Sequence, residues 1–420
     1  MREMKDSGVE WIGEIPKEWK IDKIKYHLKR NEPKNHGNAI VLSVYRDYGV
    51  IPKDSRDDNH NVTSEDTSKY KYVKKGQLVI NKMKAWQGSL AVSDYNGIVS
   101  PAYFIYDFTD EEYNHKYFHY LVRSCYKEEF KRISGGIREG QWDLSPEAFA
   151  NTLALLPPLV EQKYIANYLD IQCSEIDATA EDIQKEISLL EEYKKSVITE
   201  AVTKGLNPDA EMKDSGIAWI GEIPKDWKVD KIKYHLKRNE PKNPGNAIVL
   251  SVYRDYGVVP KDSRDDNHNV TSEDTSKYKY VKKGQLVINK MKAWQGSLAV
   301  SDYDGIVSPA YFIYDFIDEE YSHKYFHYLV RSCYKEEFKR ISGGIREGQW
   351  DLSPEGFSNT LVLLPSIEEQ NEILDYILQK EIEIDAIIAD KKRQRGILAE
   401  YKKSLIYEYV TGKKEVPVHE

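Results

Sequence analysis

A chain of 420 residues with 40% hydrophobic and 12% aromatic content has room for two or three domains, each with its own core. No run nears the roughly 18 consecutive apolar residues of a membrane span. The opening Met-Arg-Glu-Met-Lys-Asp is no secretory leader, and Cys125, Cys173 and Cys333 are too scattered for a disulfide framework, so a reducing cytoplasm is expected. The net charge of -8 argues against a nucleic-acid partner only until it is located: residues 161–200 hold ten acids and four bases, residues 369–408 nine and seven, and the other 340 sum to zero. Local basic runs in that neutral remainder can still meet phosphate.

From residue 4 onward the sequence repeats itself at an offset of 208 residues, too long for a solenoid unit and long enough for a complete module. In each copy a β-branched and aromatic part comes first. Segments 39–45, 77–81, 90–93 and 98–106, with Gly-, Asn- and Asp-containing turns between them, are predicted strands. Phe118, Leu121, Val122 and Cys125 fall at helical spacing and predict a helix over 112–131; Ser145-Pro146-Glu147 opens a short one. The fold class is α+β, with a globular part of roughly 135 residues per copy.

After Pro157-Pro158 the periodicity becomes seven. Leu169, Ile176, Ile183, Leu190 and Val197 mark one seam position and Ile165, Cys173, Ala180, Ile187 and Ala201 the other, which predicts a coiled-coil helix. The second copy keeps the seam loosely through Ile373, Ile377, Ile384, Ile387, Leu398, Tyr401 and Leu405, with Lys391 and Gln394 interrupting it. The two rods are expected to pair antiparallel within the chain, provided that Gly205 and Pro208 end the first helix. The expected division is a globular domain over 1–157, a helical spacer over 158–204, a second domain over 205–365, a second spacer over 366–412 and a tail over 413–420.

Catalytic motifs are missing: there is no phosphate-binding glycine loop, nucleophile elbow or Asn/Asp-Pro-Pro-aromatic tetrapeptide. His115 and His119, with mates His323 and His327, have the i, i+4 spacing of helical metal ligands but no third ligand beside them, so a solvated helix face is the simpler reading. Asp57-Asp58 and Glu111-Glu112 read as loop and helix-start charges. The positive signal is basic and aromatic. Lys74 and Lys75 follow Lys69-Tyr70-Lys71-Tyr72, and Lys82, Lys84 and Trp86 stand together, a composition suited to holding phosphates and packing on bases. Packing alone also explains Tyr70, Tyr72 and Trp86. In Gly135-Gly136-Ile137-Arg138-Glu139-Gly140-Gln141-Trp142, glycines frame Arg138 and Gln141, the side chains suited to bidentate contacts with guanine and adenine; a plain connector is the alternative. The second copy repeats the set as Lys282, Lys283, Lys290, Lys292, Trp294, Arg346 and Gln349.

Residues 52–95 recur unchanged at 260–303 and 115–147 at 323–355, whereas the rods have diverged. Two equal surfaces on paired rods would suit a ligand of near twofold symmetry, and duplex DNA is the common one.

With these residues in view, the sequence resembles the specificity subunits of type I restriction-modification enzymes along essentially its whole length. Met4 to Pro16 and 212–224 are similar to the segment that introduces each target-recognition domain in that family. Leu156-Pro157-Pro158-Leu159-Val160-Glu161-Gln162 resembles the strand-to-helix signature of its conserved helices, and Leu364-Pro365-Ser366-Ile367-Glu368-Glu369-Gln370 keeps the Glu-Gln. Gly76-Gln77-Leu78-Val79-Ile80 resembles the recognition-domain core. The resemblance implies a chain without catalysis of its own that binds double-stranded DNA and docks two modification (methyltransferase) subunits and the restriction subunits, with S-adenosylmethionine, ATP and Mg²⁺ used by those partners. It also implies two unlike recognition domains, and here the sequence departs. Residues 21–156 differ from 229–364 at nine positions, none of them Arg, Lys or Gln, so both domains are expected to read the same half-site of an interrupted palindrome. The alternatives are a coiled-coil scaffold that binds protein, and a specificity module of another DNA-modification or phage-exclusion system.

Overall fold

The computed structural model describes residues 2–35, 37, 39–46, 48–55, 66–136, 142–245, 247–254, 256–263, 274–344 and 350–417. It divides into two compact units, Met1–Gln184 with Arg393–Glu420, and Lys185–Lys392. The first unit carries the strands β1 (Met4–Asp6), β2 (Glu14–Pro16), β3 (Lys20–Lys23), β4 (Leu28–Arg30), β5 (Leu42–Tyr45), β6 (Gly49–Pro52) and β7 (Lys71–Val73). Next come β8 (Leu78–Asn81), β9 (Leu90–Val92), β10 (Gly97–Val99), β11 (Tyr103–Phe108), β12 (Ser134–Gly135), β13 (Asp143–Leu144) and β14 (Leu153–Leu156). Helices α1 (His115–Cys125), α2 (Lys127–Arg132) and α3 (Pro146–Asn151) precede the long α4 (Leu159–Lys204). The second unit repeats the set, with α5 (His323–Cys333), α6 (Lys335–Arg340) and α7 (Pro354–Asn359) before the long α8 (Ile367–Val410); α8 from Arg393 belongs to the first unit and α4 from Lys185 to the second.

In the first unit a four-stranded antiparallel sheet runs in the order β4-β11-β8-β9, with Val79 opposite both Ile105 and Ala91. Its alternation explains why Leu78 to Ile80 is apolar without a break. Leu78, Ile80, Leu90, Phe104 and Tyr106 face one core, while Val79, Ala91 and Ile105 face a smaller one closed by β5, β6, β7 and β10. The larger core buries Tyr117, Phe118, Leu121 and Val122 of α1 against Trp19 and Ile24, and extends onto Ile165 and Leu169 of α4 and Leu405, Tyr409 and Val410 of α8. The second unit has the matching pair of cores, onto which Ala201 and Val202 close.

Within each unit the long helices pair as predicted, antiparallel. In the first unit Lys402 meets Asp177 at 2.6 Å, Arg395 donates to Gln184, and the Tyr168 and Tyr409 rings lie 4.7 Å apart. In the second unit Lys194 meets Asp385 at 2.9 Å and Glu381 at 3.1 Å, and Lys391 meets Glu186 at 2.5 Å. Numbers rise along one helix as they fall along the other. The α+β class with two long antiparallel helices is thus as expected.

Three details differ from expectation. The helix expected over 112–131 is two helices broken at Tyr126, whose ring is wholly buried between Trp11 and Phe130. The strand expected over 98–106 is split by a turn at Ser100-Pro101-Ala102, where proline cannot donate to the ladder. In α8 the seam is displaced: Ile387 and Tyr401 are 46% and 51% exposed, while Ile388 is buried in place of Ile387. Polar residues 390–395 supply no knobs there, and the Lys391–Glu186 ion pair and the Arg395–Gln184 hydrogen bond hold α8 to α4.

Candidate nucleic-acid interface

The predicted basic residues of the first unit fall into two groups, one at each end of β8. Lys74 and Lys75 are exposed on the turn that enters the strand. That turn is tied by Lys74 N–H to Gln77 Oε1 at 2.6 Å, by Lys75 N–H to Asn96 Oδ1 at 2.9 Å, and by Gly76, whose φ of 90° suits glycine. Lys82, Lys84 and Trp86 lie on the turn that leaves the strand. Four strand residues, about 13 Å, separate the groups, so the five residues do not converge on one point.

The exit turn is the built surface. Lys84 N–H bonds to Asn81 O, the Ala85–Gln87 segment forms a 3-10 turn, and Gly88 at φ 92° closes it. Trp86 donates from Nε1 to Met83 O at 3.0 Å, which fixes its ring, and Lys84 and Met83 stand exposed beside it. The half-buried ring of Trp86 packs on Trp142 with centroids 5.4 Å apart. Trp142 directly precedes β13, whose Asp143 pairs with Gly135 of β12 and binds Lys82 at 3.0 Å; Leu144 N–H bonds to Lys82 O. The hairpin that carries the Arg138 and Gln141 loop therefore stands on the Lys82 to Trp86 turn. Arg138, Gln141, Arg346, Gln349, Asp57 and Asp58 lie outside the described residues.

The second unit reproduces the site. Trp294 packs on Trp350 at 5.5 Å and donates to Met291 O, and Lys290 binds Asp351 at 2.9 Å. Lys292 is exposed, as are Lys282 and Lys283 at the far end of the strand. The packing reading of Trp86 and Trp294 describes what is seen: each ring packs on the neighbouring tryptophan and stays half-buried. Tyr70, at 8% exposure, is a core residue.

Sequence reasoning placed β5 within the strand expected over 39–45 but missed β6 and the hairpin that the two form. Arg46 lies against the same turn, its Cγ 3.7 Å from where a Cβ on Gly88 would stand, and Tyr48 projects with 57% of its surface exposed. Arg123 of α1 donates from Nη2 to Arg46 O at 2.6 Å and so sets the hairpin's position. The signal available was Tyr-Arg-Asp-Tyr-Gly between two β-branched runs, repeated at 253–257. Glu32 accepts from Arg30 at 2.7 Å and Lys71 at 2.9 Å. Burial alone would raise its carboxyl, but these two cations hold it below the usual range, so they are already neutralised.

The histidine pair does not form a metal site. His119 accepts from Val92 N–H at Nδ1, 3.3 Å away, while His115 stacks on Phe108 at 4.1 Å. Cys125, Cys173 and Cys333 are free thiols, and burial pushes Cys125 and Cys333 up to about 12.

No protein-family model matches the chain. It is 24% identical over 430 aligned residues to the type I restriction enzyme MjaVIII specificity subunit of Methanocaldococcus jannaschii, covering 96% of this chain and 94% of that one. Among solved structures it is similar to the HsdS subunit from Thermoanaerobacter tengcongensis, with a TM-score of 0.52, 14% identity and coverage of 95% and 98%. It is also similar to a chain from a structure addressing complex assembly and conformational transition of a type I R-M system, with a TM-score of 0.62, 13% identity and coverage of 95% and 99%. At these identities the structural likenesses speak for the fold alone. The resemblance read from the motifs is borne out: along its whole length, in sequence and in fold, this chain is similar to the specificity subunits of type I restriction enzymes.

Proposed function

We propose that the chain is the DNA-reading specificity subunit of a type I restriction-modification assembly, itself without catalysis, and that its two units read two copies of one half-site. The observation that carries this reading is the likeness to a curated specificity subunit over 96% of the chain. The duplicated turn, with Lys84 exposed and the rings of Trp86 and Trp142 half-buried beside it, supports it, because bases and phosphates are met by this combination of rings and cations.

Docking of modification subunits, and through them restriction subunits, falls to the rods. In the first unit Val160, Tyr164 and Ile171, 65%, 64% and 58% exposed, recur at steps of four and seven and so share one face of α4. In the second unit Leu189 and Tyr193 on α4, and Leu378 and Ile382 on α8, are likewise exposed. Such apolar faces on otherwise charged helices fit helices of a partner. S-adenosylmethionine, ATP and Mg²⁺ are assigned to those partners, and the cytoplasm is the compartment where the assembly meets DNA.

The test is a duplex-binding titration over salt concentration, followed by methylation mapping of DNA from cells carrying the chain with its partner subunits. Affinity should fall steeply with salt as counterions are released, and one interrupted motif should be modified. Salt-independent binding together with unmodified DNA would favour the protein-binding scaffold instead.

A further inference from the structure

His27 ends the 3-10 turn Ile24–Tyr26 just before β4, and its side chain keeps only 4% of its surface exposed. The edge of Tyr113 packs against it at 5.0 Å. Three carboxylates surround this one imidazole. Asp110 Oδ2 lies 2.9 Å and Glu112 Oε2 3.6 Å from Nδ1, and Asp22 Oδ2 lies 3.5 Å from Nε2. Among the described residues no lysine or arginine forms an ion pair with any of the three. Nε2 is buried and makes no hydrogen bond.

Neither neutral form of the ring is at ease there. With the proton on Nδ1, the bond to Asp110 is satisfied, but the bare lone pair of Nε2 faces Asp22 inside the protein. With the proton on Nε2, the lone pair of Nδ1 faces two carboxylates. Each form sets acceptor against acceptor, and buried acceptors left so are costly. The arrangement calls for a cation.

We propose that this cation is a divalent transition metal of the Zn²⁺ or Mn²⁺ kind, held by His27 Nδ1, Asp110 and Glu112, with a counterpart at His235, Asp318 and Glu320. Donor atoms bound at about 2.0–2.2 Å to one ion stand roughly 3.0–3.5 Å from each other, close to the separations of Asp110 and Glu112 from Nδ1. One nitrogen with two carboxylates suits borderline divalent ions. With the ion on Nδ1 the ring's N–H sits on Nε2 and points toward Asp22, 3.5 Å away, which a small shift would bring close enough to accept it, as outer carboxylates do for metal-bound histidines. The second unit repeats the geometry in part, with Asp318 at 2.8 Å from Nδ1 and Asp230 at 3.5 Å from Nε2, while Glu320 stands farther off, within 4.8 Å of the other donor atoms.

The location gives the ion a structural role. Asp110 and Glu112 lie on the loop from β11 to α1, and Glu112 O accepts from Nε2 of the fully buried Gln162 at 2.8 Å, in the first turns of α4. Gln370 bonds to Glu320 O in the same way at 2.7 Å. A bound ion would fasten that loop to the strand end at His27, and through Gln162 to the base of the rod.

The full-length chain, stripped with EDTA, is titrated with Mn²⁺ and with Zn²⁺ by calorimetry, and Mn²⁺ binding is read in parallel by electron paramagnetic resonance. One ion should bind per unit and raise the melting temperature. Glu112 is 59% exposed, so Glu112→Gln leaves the packing intact, with circular dichroism as the check. That variant should lose one of the two ions, and the double variant with Glu320→Gln should bind at least tenfold more weakly. If neither metal binds below millimolar concentration, or if the double variant binds as the parent does, the proposal is overturned.

Discussion

His119 and His327 owe their state to burial first and to a neighbouring arginine second, Arg123 and Arg331 respectively, and both are pulled down to about 3. Such a histidine takes up its proton in the unfolded chain near pH 6.5 but not in the folded one, so the unfolded state binds more protons in between. Stability should fall as pH drops from 6.5 toward 3, by at most about 1.4 kcal/mol per pH unit for each ring. Denaturant melts at pH 7 and pH 5 check it: replacing both rings with Gln should flatten the loss, and an unchanged slope would mean that they are charged in the fold. A second residue-scale difference lies between the copies. Asn114 caps α1 by accepting from Lys116 and Tyr117 N–H, while Ser322 makes no such bond to α5. Ser322→Asn should therefore stabilise the second unit by about 0.5–1 kcal/mol, read as a higher melting midpoint.

At the scale of elements, Ile183 is buried in the seam of the first unit, and an aspartate there would leave an unpaired charge among apolar neighbours. Ile183→Asp should cost several kcal/mol and weaken partner docking, which pull-down of the modification subunit would report. The far end of α8 matters as much. Leu405, Tyr409 and Val410 fill the first core, Tyr117 donates to Val410 O at 2.9 Å, and a Cβ on Gly412 would stand 2.5 Å from Pro16, with φ at 70° besides. Gly412→Val should loosen the first unit and leave the second unchanged, which hydrogen exchange would resolve unit by unit. The rods, three of the four strands of the central sheet (β8, β9 and most of β11) and the Ser145 cap were legible in the sequence because each rests on local periodicity or capping, whereas the edge strand β4 was not. The close of the first core on residues 405–410 was not, since it joins segments far apart in the chain. Nor was the cluster at His27, whose carboxylates come from β3 and from the loop after β11; Glu112 read as an ordinary helix-start charge. The surface at Trp86 was half legible: its composition stood out, but its partner Trp142 and the hairpin at Tyr48 meet it only through pairing of distant strands.

At the scale of the whole molecule, the near-identity of the two globular parts governs what can be read. The sites at Trp86 and Trp294 have the same residues and the same ring geometry, 5.4 Å and 5.5 Å between centroids, so each unit should prefer the same bases. Under the proposed function, Trp86→Ala should relax discrimination in one half-site and leave the other sharp, while Trp86→Ala with Trp294→Ala should relax both. Replacing Lys84 and Lys292 with Ala should instead weaken every sequence alike and lower the salt slope by about one for each phosphate that a lysine no longer neutralises. If Arg138 reads a guanine, its replacement by Ala should cost about 1–3 kcal/mol at one base pair and nothing elsewhere. Two equal readers addressing the two strands of a duplex in opposite senses would select an inverted repeat, and readers in successive major grooves would place half-site centres about ten base pairs apart. Single-molecule methylation mapping decides between the possibilities. An interrupted palindrome is the expected result; two unlike half-sites would show that near-identical domains do not read alike, and that the nine differences between 21–156 and 229–364, though none is Arg, Lys or Gln, alter the reading surface.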